Sequence, residues 1–242
     1  MLSITKIKSA GALVKYVEKE ALLNYYAESG VALTRWAGEG AKFFSLNGPV
    51  QGKALYNLLE GRSPDGTADT VQNAGATNRQ PGWDLTFSAV KDFSSFWGAS
   101  DAETRKRLDR TDEKALDVAL SITQEICGLT RRGKGGRTLE KAKLIFGLYT
   151  HRISRDGQPQ IHTHAICPDV GVRSDLSTGT IWTKELYRSK IFLGTLYRVE
   201  HAKNLRNDLG LRIEPQKIGF RIVGVPQSLS RYWSSRSQKI YR

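Results

Sequence analysis

The chain reads as α+β, a two-layer sandwich in which a central antiparallel sheet of about five strands is flanked by helices. Three observations predict it. Strand-period and helix-period segments intermix along the chain, and one β-hairpin is explicit at Asp156-Gly157. The composition, 39% hydrophobic and 25% charged, is that of a folded globular protein. With 242 residues the chain can bury one sizeable core, and no repeat or low-complexity tract marks a boundary, so residues 1–242 are expected to form a single domain.

Taken in order, Ser3 to Ile7 alternates like a short strand, with Ile4 on one face and Thr5 on the other. Ser9 to Tyr26 is rich in helix formers, and Gly30 offers a stop. A second helix is expected over Gly52 to Leu59, followed by a long polar segment, Gly61 to Gly82, of the kind that is functional or mobile. Trp83 to Ser88 alternates aromatic and apolar residues with Asp84 and Thr86, giving a strand with one polar face. Ser100 and Glu103 form a capping-box pattern for a helix whose apolar face carries Leu108, Ala115, Ala119, Ile122 and Ile126. Gly128 to Arg137 reads as a basic, glycine-rich loop. Two strands follow, Lys143 to Arg152 and Gln160 to Cys167, and then a helix from Tyr187 to Leu209 with Gly210 as its C-cap.

Composition narrows the function. No apolar run approaches the roughly 18–20 residues needed to span a bilayer, and Met1 to Lys8 lacks the apolar core of a secretory signal. Cys127 and Cys167 lie far apart and read as buried thiols in a reducing compartment, so a cytoplasmic protein is expected. A formal net charge of +13 favours a polyanionic partner, nucleic acid above all.

The chemistry is concentrated in the histidines. There are 4 in the chain, and His151, His162 and His164 fall close together. His162 and His164 are two apart in a strand and so share a face. If the turn is centred on Asp156-Gly157, His151 stands directly opposite His162. Three imidazoles then converge, which is the pattern of a divalent-metal site with open positions. Such a donor set suits Zn²⁺, Mn²⁺, Co²⁺ or Ni²⁺, and Mg²⁺ less naturally. No acidic residue adjoins His162 or His164 to act as a water-activating base, which favours a metal that polarises a phosphodiester while another residue attacks. Arg131, Arg132, Lys134 and Arg137 are either a solvated loop or a clamp on DNA phosphates. Trp36, Trp83 and Trp97 read as core, and His201 as an ordinary helix residue away from the cluster.

The run from His151 to Ala165 closely resembles the metal motif of TraI/TrwC-type (MOBF) conjugative relaxases, members of the HUH endonucleases. Met1-Leu2-Ser3-Ile4, Tyr16 followed by Tyr25-Tyr26, Trp36-Ala37-Gly38-Glu39-Gly40, Asp84-Leu85-Thr86-Phe87-Ser88-Ala89 and the stretch from Phe192-Leu193-Gly194 to Leu209-Gly210 also resemble the family, in its order. The resemblance covers essentially the whole chain. It implies an enzyme that nicks one strand of plasmid DNA at the nic site of the origin of transfer, through tyrosine attack and a 5′-phosphotyrosine intermediate, and later rejoins it. It further implies His151, His162 and His164 as metal ligands and Tyr16 as the first nucleophile. Tyr25 and Tyr26 match the second tyrosine pair, and Asp84 an acidic residue that assists the nucleophile or orients a metal histidine. Arg155 and Lys91 join the basic loop as DNA contacts.

By the same resemblance the ion is Mg²⁺ or Mn²⁺, with Zn²⁺, Co²⁺ or Ni²⁺ also able to occupy the site. The expected partners are single-stranded and hairpin origin-of-transfer DNA, relaxosome accessory proteins and a coupling protein. The chain is expected to be a monomer and the N-terminal part of a longer protein that ends in a helicase. Two departures stand out: Val17 follows Tyr16 where relatives often have a second tyrosine, and Val90-Lys91-Asp92 replaces the usual Pro-Lys-Ser. The rival readings are a rolling-circle replication initiator, in which the tyrosine usually follows the histidines, and a non-catalytic DNA-binding module with a structural metal.

Overall fold

The computed structural model describes the backbone of residues 1–27, 34–154 and 156–234, and their side chains apart from those of 20–27. The chain opens with β1 (Leu2–Lys6) and α1 (Ala10–Ala27), then β2 (Thr34–Ala37), α2 (Glu39–Phe43) and α3 (Gly52–Leu59). β3 (Gly82–Ser88) leads into α4 (Lys91–Ala99) and the long α5 (Ala102–Cys127). Next come β4 (Leu129–Arg132), β5 (Thr138–Lys143), β6 (Phe146–Ile153), β7 (Pro159–Pro168), β8 (Gly171–Arg173) and β9 (Thr178–Gly179). α6 (Lys184–Arg188), α7 (Lys190–Leu209), β10 (Ile213–Gln216), β11 (Gly219–Ile222) and α8 (Gln227–Tyr232) follow.

Period-2 alternation builds the centre. Five antiparallel strands pair in the order β1-β3-β7-β6-β2. Trp83, Leu85 and Phe87 point to one face with Leu148 and Ala165, where Ala115, Leu116 and Ala119 of α5 and Leu193 and Tyr197 of α7 cover them. Side chains of this size each contribute about 1.5–3 kcal/mol when fully buried, so this face is held firmly. The other face carries Tyr149 and Ile166, under Ala10, Val14 and Val17 of α1 and Leu55, Leu58 and Leu59 of α3. By alternation and register, Asp84, Thr86, His162 and His164 belong to this second face.

Several expectations needed correction. The helix expected from Ser100 is capped one residue later: Asp101 accepts from the Thr104 backbone N–H at 2.8 Å, and Ser100 instead ends α4. A carboxylate at N-cap also complements the partial positive charge of the helix start. The basic loop is a β4–β5 ribbon, paired from Leu129↔Lys141 to Arg132↔Thr138. The strand expected over Lys143 to Arg152 is two strands, β5 and β6, broken at Leu144 and Ile145, and the last long helix is divided at Ser189. The polar segment after Gly61 is tied down from within. Buried Arg79 donates to the carbonyls of Leu59 and Asp169 and to Asn73 Oδ1, and Asp65 collects Ser63 and Thr67. Trp36, Trp83 and Trp97 are all buried, as expected of core residues. Cys127 and Cys167 are free and buried, and burial pushes the Cys127 thiol up to about 11. Gly30 lies outside the described residues.

Candidate active site

Three strands and one helix assemble the site. β6 and β7 pair from Gly147↔Ile166 to His151↔His162, which sets His151 directly across from His162, the register expected from the sequence. The turn that produces it is not the two-residue turn expected. Ser154 N–H donates to Gln158 O at 2.8 Å and Gly157 N–H to Ser154 O at 2.9 Å, with Gly157 at φ 71°. This is a longer loop closed by a left-handed glycine, and an irregularity between His151 and Ile153 absorbs the difference in register.

The three imidazole centroids lie 5.2 Å (His151–His162), 5.0 Å (His151–His164) and 5.2 Å (His162–His164) apart. One ring nitrogen from each falls within 4.8 Å of the other two. The outer nitrogens of two of them are held. His164 Nδ1 faces Asp84 Oδ2 at 2.7 Å, and His162 Nδ1 faces the Gln160 carbonyl at 2.8 Å. A donor hydrogen on each Nδ1 leaves each Nε2 lone pair free for the centre of the trio. His151, only 2% exposed, has a buried Nε2 with no partner. A buried acceptor without a donor costs about 1–3 kcal/mol, and a cation at the centre would satisfy it. Burial, and then the neighbouring histidines, lower His151 to about 3; burial also lowers His162. His151 and His162 are therefore held neutral, which is the state in which imidazole ligates a metal. The residues present fit a divalent-metal site.

Tyr16 sits on α1 beside this cluster, its ring edge-on to His164 at a centroid distance of 6.4 Å. The side chains of Tyr25 and Tyr26 lie outside the described residues, as does Arg155. Asp84 touches the histidine rather than standing free. Thr86, which sequence reading left without a role, donates to Asp84 Oδ1 at 3.1 Å and lies 3.3 Å from His164 Nδ1. Its signal was available, since two residues along an alternating strand from Asp84 is the same face.

The basic candidates divide. Arg132 is engaged by Glu140 and Asp175, and Arg131 stacks on Trp182 with its guanidinium carbon 4.0 Å from the ring centroid. Lys91 donates to the Pro159 carbonyl at 2.8 Å and is lowered to about 8 by burial. Lys134 and Arg137 flank the tip of the β4–β5 ribbon. His201 is a buried core residue of α7 against Phe93, as expected of a histidine outside the cluster.

Comparison with known proteins identifies the family. The chain is 32% identical over 255 aligned positions to the multifunctional conjugation protein TraI of Escherichia coli (strain K12), a match covering 99% of the chain and 14% of that protein. It thus spans about one seventh of the length of that relative. A copper-bound structure of the conjugative relaxase TrwC with oriT DNA superposes with a TM-score of 0.84 at 26% identity, covering 100% of this chain and 82% of that one. TrwC complexed with a 27-mer DNA comprising the recognition hairpin and the cleavage site gives 0.76 at 26% identity, covering 100% and 81%. The family described as TrwC relaxase matches residues 10–242, and the chain belongs to that family.

Proposed function

We propose that residues 1–242 act as one nicking and joining unit that cuts a single DNA strand at a plasmid origin of transfer. The observation that carries this reading is the convergence of three imidazoles on one sheet face with the Tyr16 ring 6.4 Å from His164. His151, His162 and His164 would hold a divalent cation, which when bound supplies Lewis-acid polarisation of the scissile phosphate. Tyr16 Oη attacks phosphorus, the bond to the 3′ oxygen breaks, and the products are a 5′-phosphotyrosine and a 3′-OH, with the phenol proton balancing the departing oxygen. Asp84 holds His164 in the tautomer that offers Nε2 inward. Rejoining reverses the step, with Tyr25 or Tyr26 as candidates for a second transesterification.

Mg²⁺ or Mn²⁺ is the proposed physiological ion, with Zn²⁺, Co²⁺ and Ni²⁺ also accommodated by the imidazoles. The proposed substrate pairs a hairpin with a single-stranded cleavage segment, as in the DNA bound by the TrwC relative. Lys134, Arg137 and Arg155 are the proposed main phosphate contacts, while Lys91, Arg131 and Arg132, already engaged by the Pro159 carbonyl, by Trp182 and by Glu140 with Asp175, contribute less. Relaxosome accessory proteins and a coupling protein are the proposed partners in the cytoplasm. No described helix is long and apolar enough to cross a membrane.

The test is incubation with labelled single-stranded origin DNA and Mn²⁺. A protein-linked 5′ product is expected, lost in Tyr16→Phe and on chelation while DNA binding persists. An adduct that survives in Tyr16→Phe removes that residue from the role, and equal loss of binding and cleavage on chelation counts against a catalytic metal.

A further inference from the structure

On the sheet face opposite the histidines, α7 and the β10–β11 hairpin enclose a groove of about 590 Å³. Its walls expose aliphatic side chains that a solitary surface would normally cover: Ile191 is 83% exposed, Val199 56% and Ile218 66%. Its rim is cationic. Arg198, Arg206 and Lys217 line it, and among the described residues no carboxylate does. Lys203, the remaining cation, is already paired with Glu200. Arg198 is half-buried, its Nε has no hydrogen-bond partner, and no ion pair satisfies its guanidinium among the described residues.

We propose that this groove docks an acidic, amphipathic segment of a partner protein, its aliphatic side chains against Ile191, Val199 and Ile218 and its carboxylates on Arg198, Arg206 and Lys217. Charge complementarity selects the occupant. A half-buried guanidinium without an acceptor is stabilised by a carboxylate that accepts in its plane, and exposed aliphatic residues of this kind mark protein contacts. Single-stranded nucleic acid fits less well. It binds through phosphates and stacked bases, and the groove's aromatic residue, Phe220, is only 6% exposed. The position leaves the histidine face free, so the partner and the nicked strand need not compete. The inference is independent of the nicking chemistry.

The test is selection of binders from a random-peptide display library against the intact chain, followed by affinity measurement by fluorescence anisotropy. Recovered peptides are expected to combine acidic and aliphatic residues. They should bind Val199→Glu and Arg206→Glu at least about tenfold more weakly, with circular dichroism and nicking unchanged. The proposal is overturned by an empty selection, by peptides without that pattern, or by affinities unaltered in both variants. Displacement of the peptides by single-stranded oligonucleotide would assign the groove to DNA instead. Self-association that Ile218→Glu abolishes would assign it to a second copy.

Discussion

At the scale of single residues, the site is organised by hydrogen bonds that fix which nitrogen each histidine offers. Thr86 shows how far this extends. Its hydroxyl turns Asp84 so that one carboxylate oxygen meets Thr86 and the other meets His164 Nδ1. Thr86→Val keeps the shape and removes the donor, so Asp84 is left free to rotate. Metal affinity should fall by about tenfold, the low end of what outer contacts to a ligating histidine contribute, and Thr86→Ser should restore it. Titration calorimetry with Mn²⁺ reads the difference, and equal affinity in all three proteins would show that Asp84 needs no such support. His201 illustrates the opposite use of an imidazole. Burial lowers it to about 3, and both ring nitrogens lack hydrogen-bond partners. Asp112, 3.5 Å from its Nδ1, does not reverse this, since Asp112 is itself raised to about 6 by burial and accepts the Tyr197 hydroxyl. A histidine lowered in the fold but near 6.5 when unfolded takes up its proton only on unfolding, so stability is lost as pH falls from about 6.5 toward 3 at about 1.4 kcal/mol per unit. In chelator, His201→Phe should therefore gain on the wild type by about 2 kcal/mol between pH 7 and pH 5, measured by urea unfolding. An unchanged gap would mean that His201 is charged in the fold.

At the scale of elements, the β6–β7 hairpin shows what sequence can and cannot reveal. Asp156-Gly157 placed His151 opposite His162 correctly, and the alternation of Trp83 to Ser88 put Asp84 and Thr86 on one polar face; that this is the ligands' face follows from the β3–β7 pairing of Thr86 with His164 and Ser88 with His162. The turn type was read wrongly because the register irregularity at His151/Ile153 adds a residue that no local pattern announces. β2 was not read as a strand because four residues, Thr34–Ala37, are too short to show a period. The following Gly38 adopts φ 90°, where an added Cβ would lie 2.5 Å from the Leu144 carbonyl oxygen. The β4–β5 ribbon was missed because glycine and charge dominate its tip, while β4 is tied to a turn distant in sequence, between β8 and β9, through Arg132 and Asp175. Gly157 tests the turn directly. It sits at φ 71° in open space, so a side chain meets no neighbour and only the backbone conformation resists it. Gly157→Val should cost about 1–2 kcal/mol and Gly157→Asn less, since asparagine tolerates that region. Metal affinity should persist in both, because the pairing from Gly147 to His151 holds the register independently. Equal stability of the two variants would show that the turn relaxes out of the left-handed region.

At the scale of the whole molecule, a formal charge of +13 does not translate into thirteen equivalent DNA contacts. That figure is already net of the 24 acidic residues, and among the 37 lysines and arginines several are held by acidic partners: Arg35 by Asp117, Lys114 by Asp208, Arg152 by Asp109 and Arg132 by Glu140 and Asp175. A phosphate approaching Arg132 meets a guanidinium already neutralised, with Asp175 itself held well below the usual carboxylate range by Ser177 and Arg132. Lys134 and Arg137, at the tip of the same ribbon, carry no ion pair among the described residues. If the ribbon grips DNA, these two release counterions and Arg132 largely does not. Each phosphate neutralised contributes about 0.9 to the slope of log affinity against log salt on duplex DNA, and about 0.7 on single strands. Lys134→Ala and Arg137→Ala should each flatten that slope by nearly one unit. Arg132→Ala should change it by much less, while lowering thermal stability by removing the tie between β4 and the Asp175 turn. Anisotropy titrations across a salt series, with a hairpin bearing a single-stranded tail, read all three. A slope that drops as far for Arg132 as for Lys134 would mean that DNA displaces Asp175 and Glu140 from the guanidinium, making the ion pairs a latch that opens on binding rather than a fixed part of the ribbon.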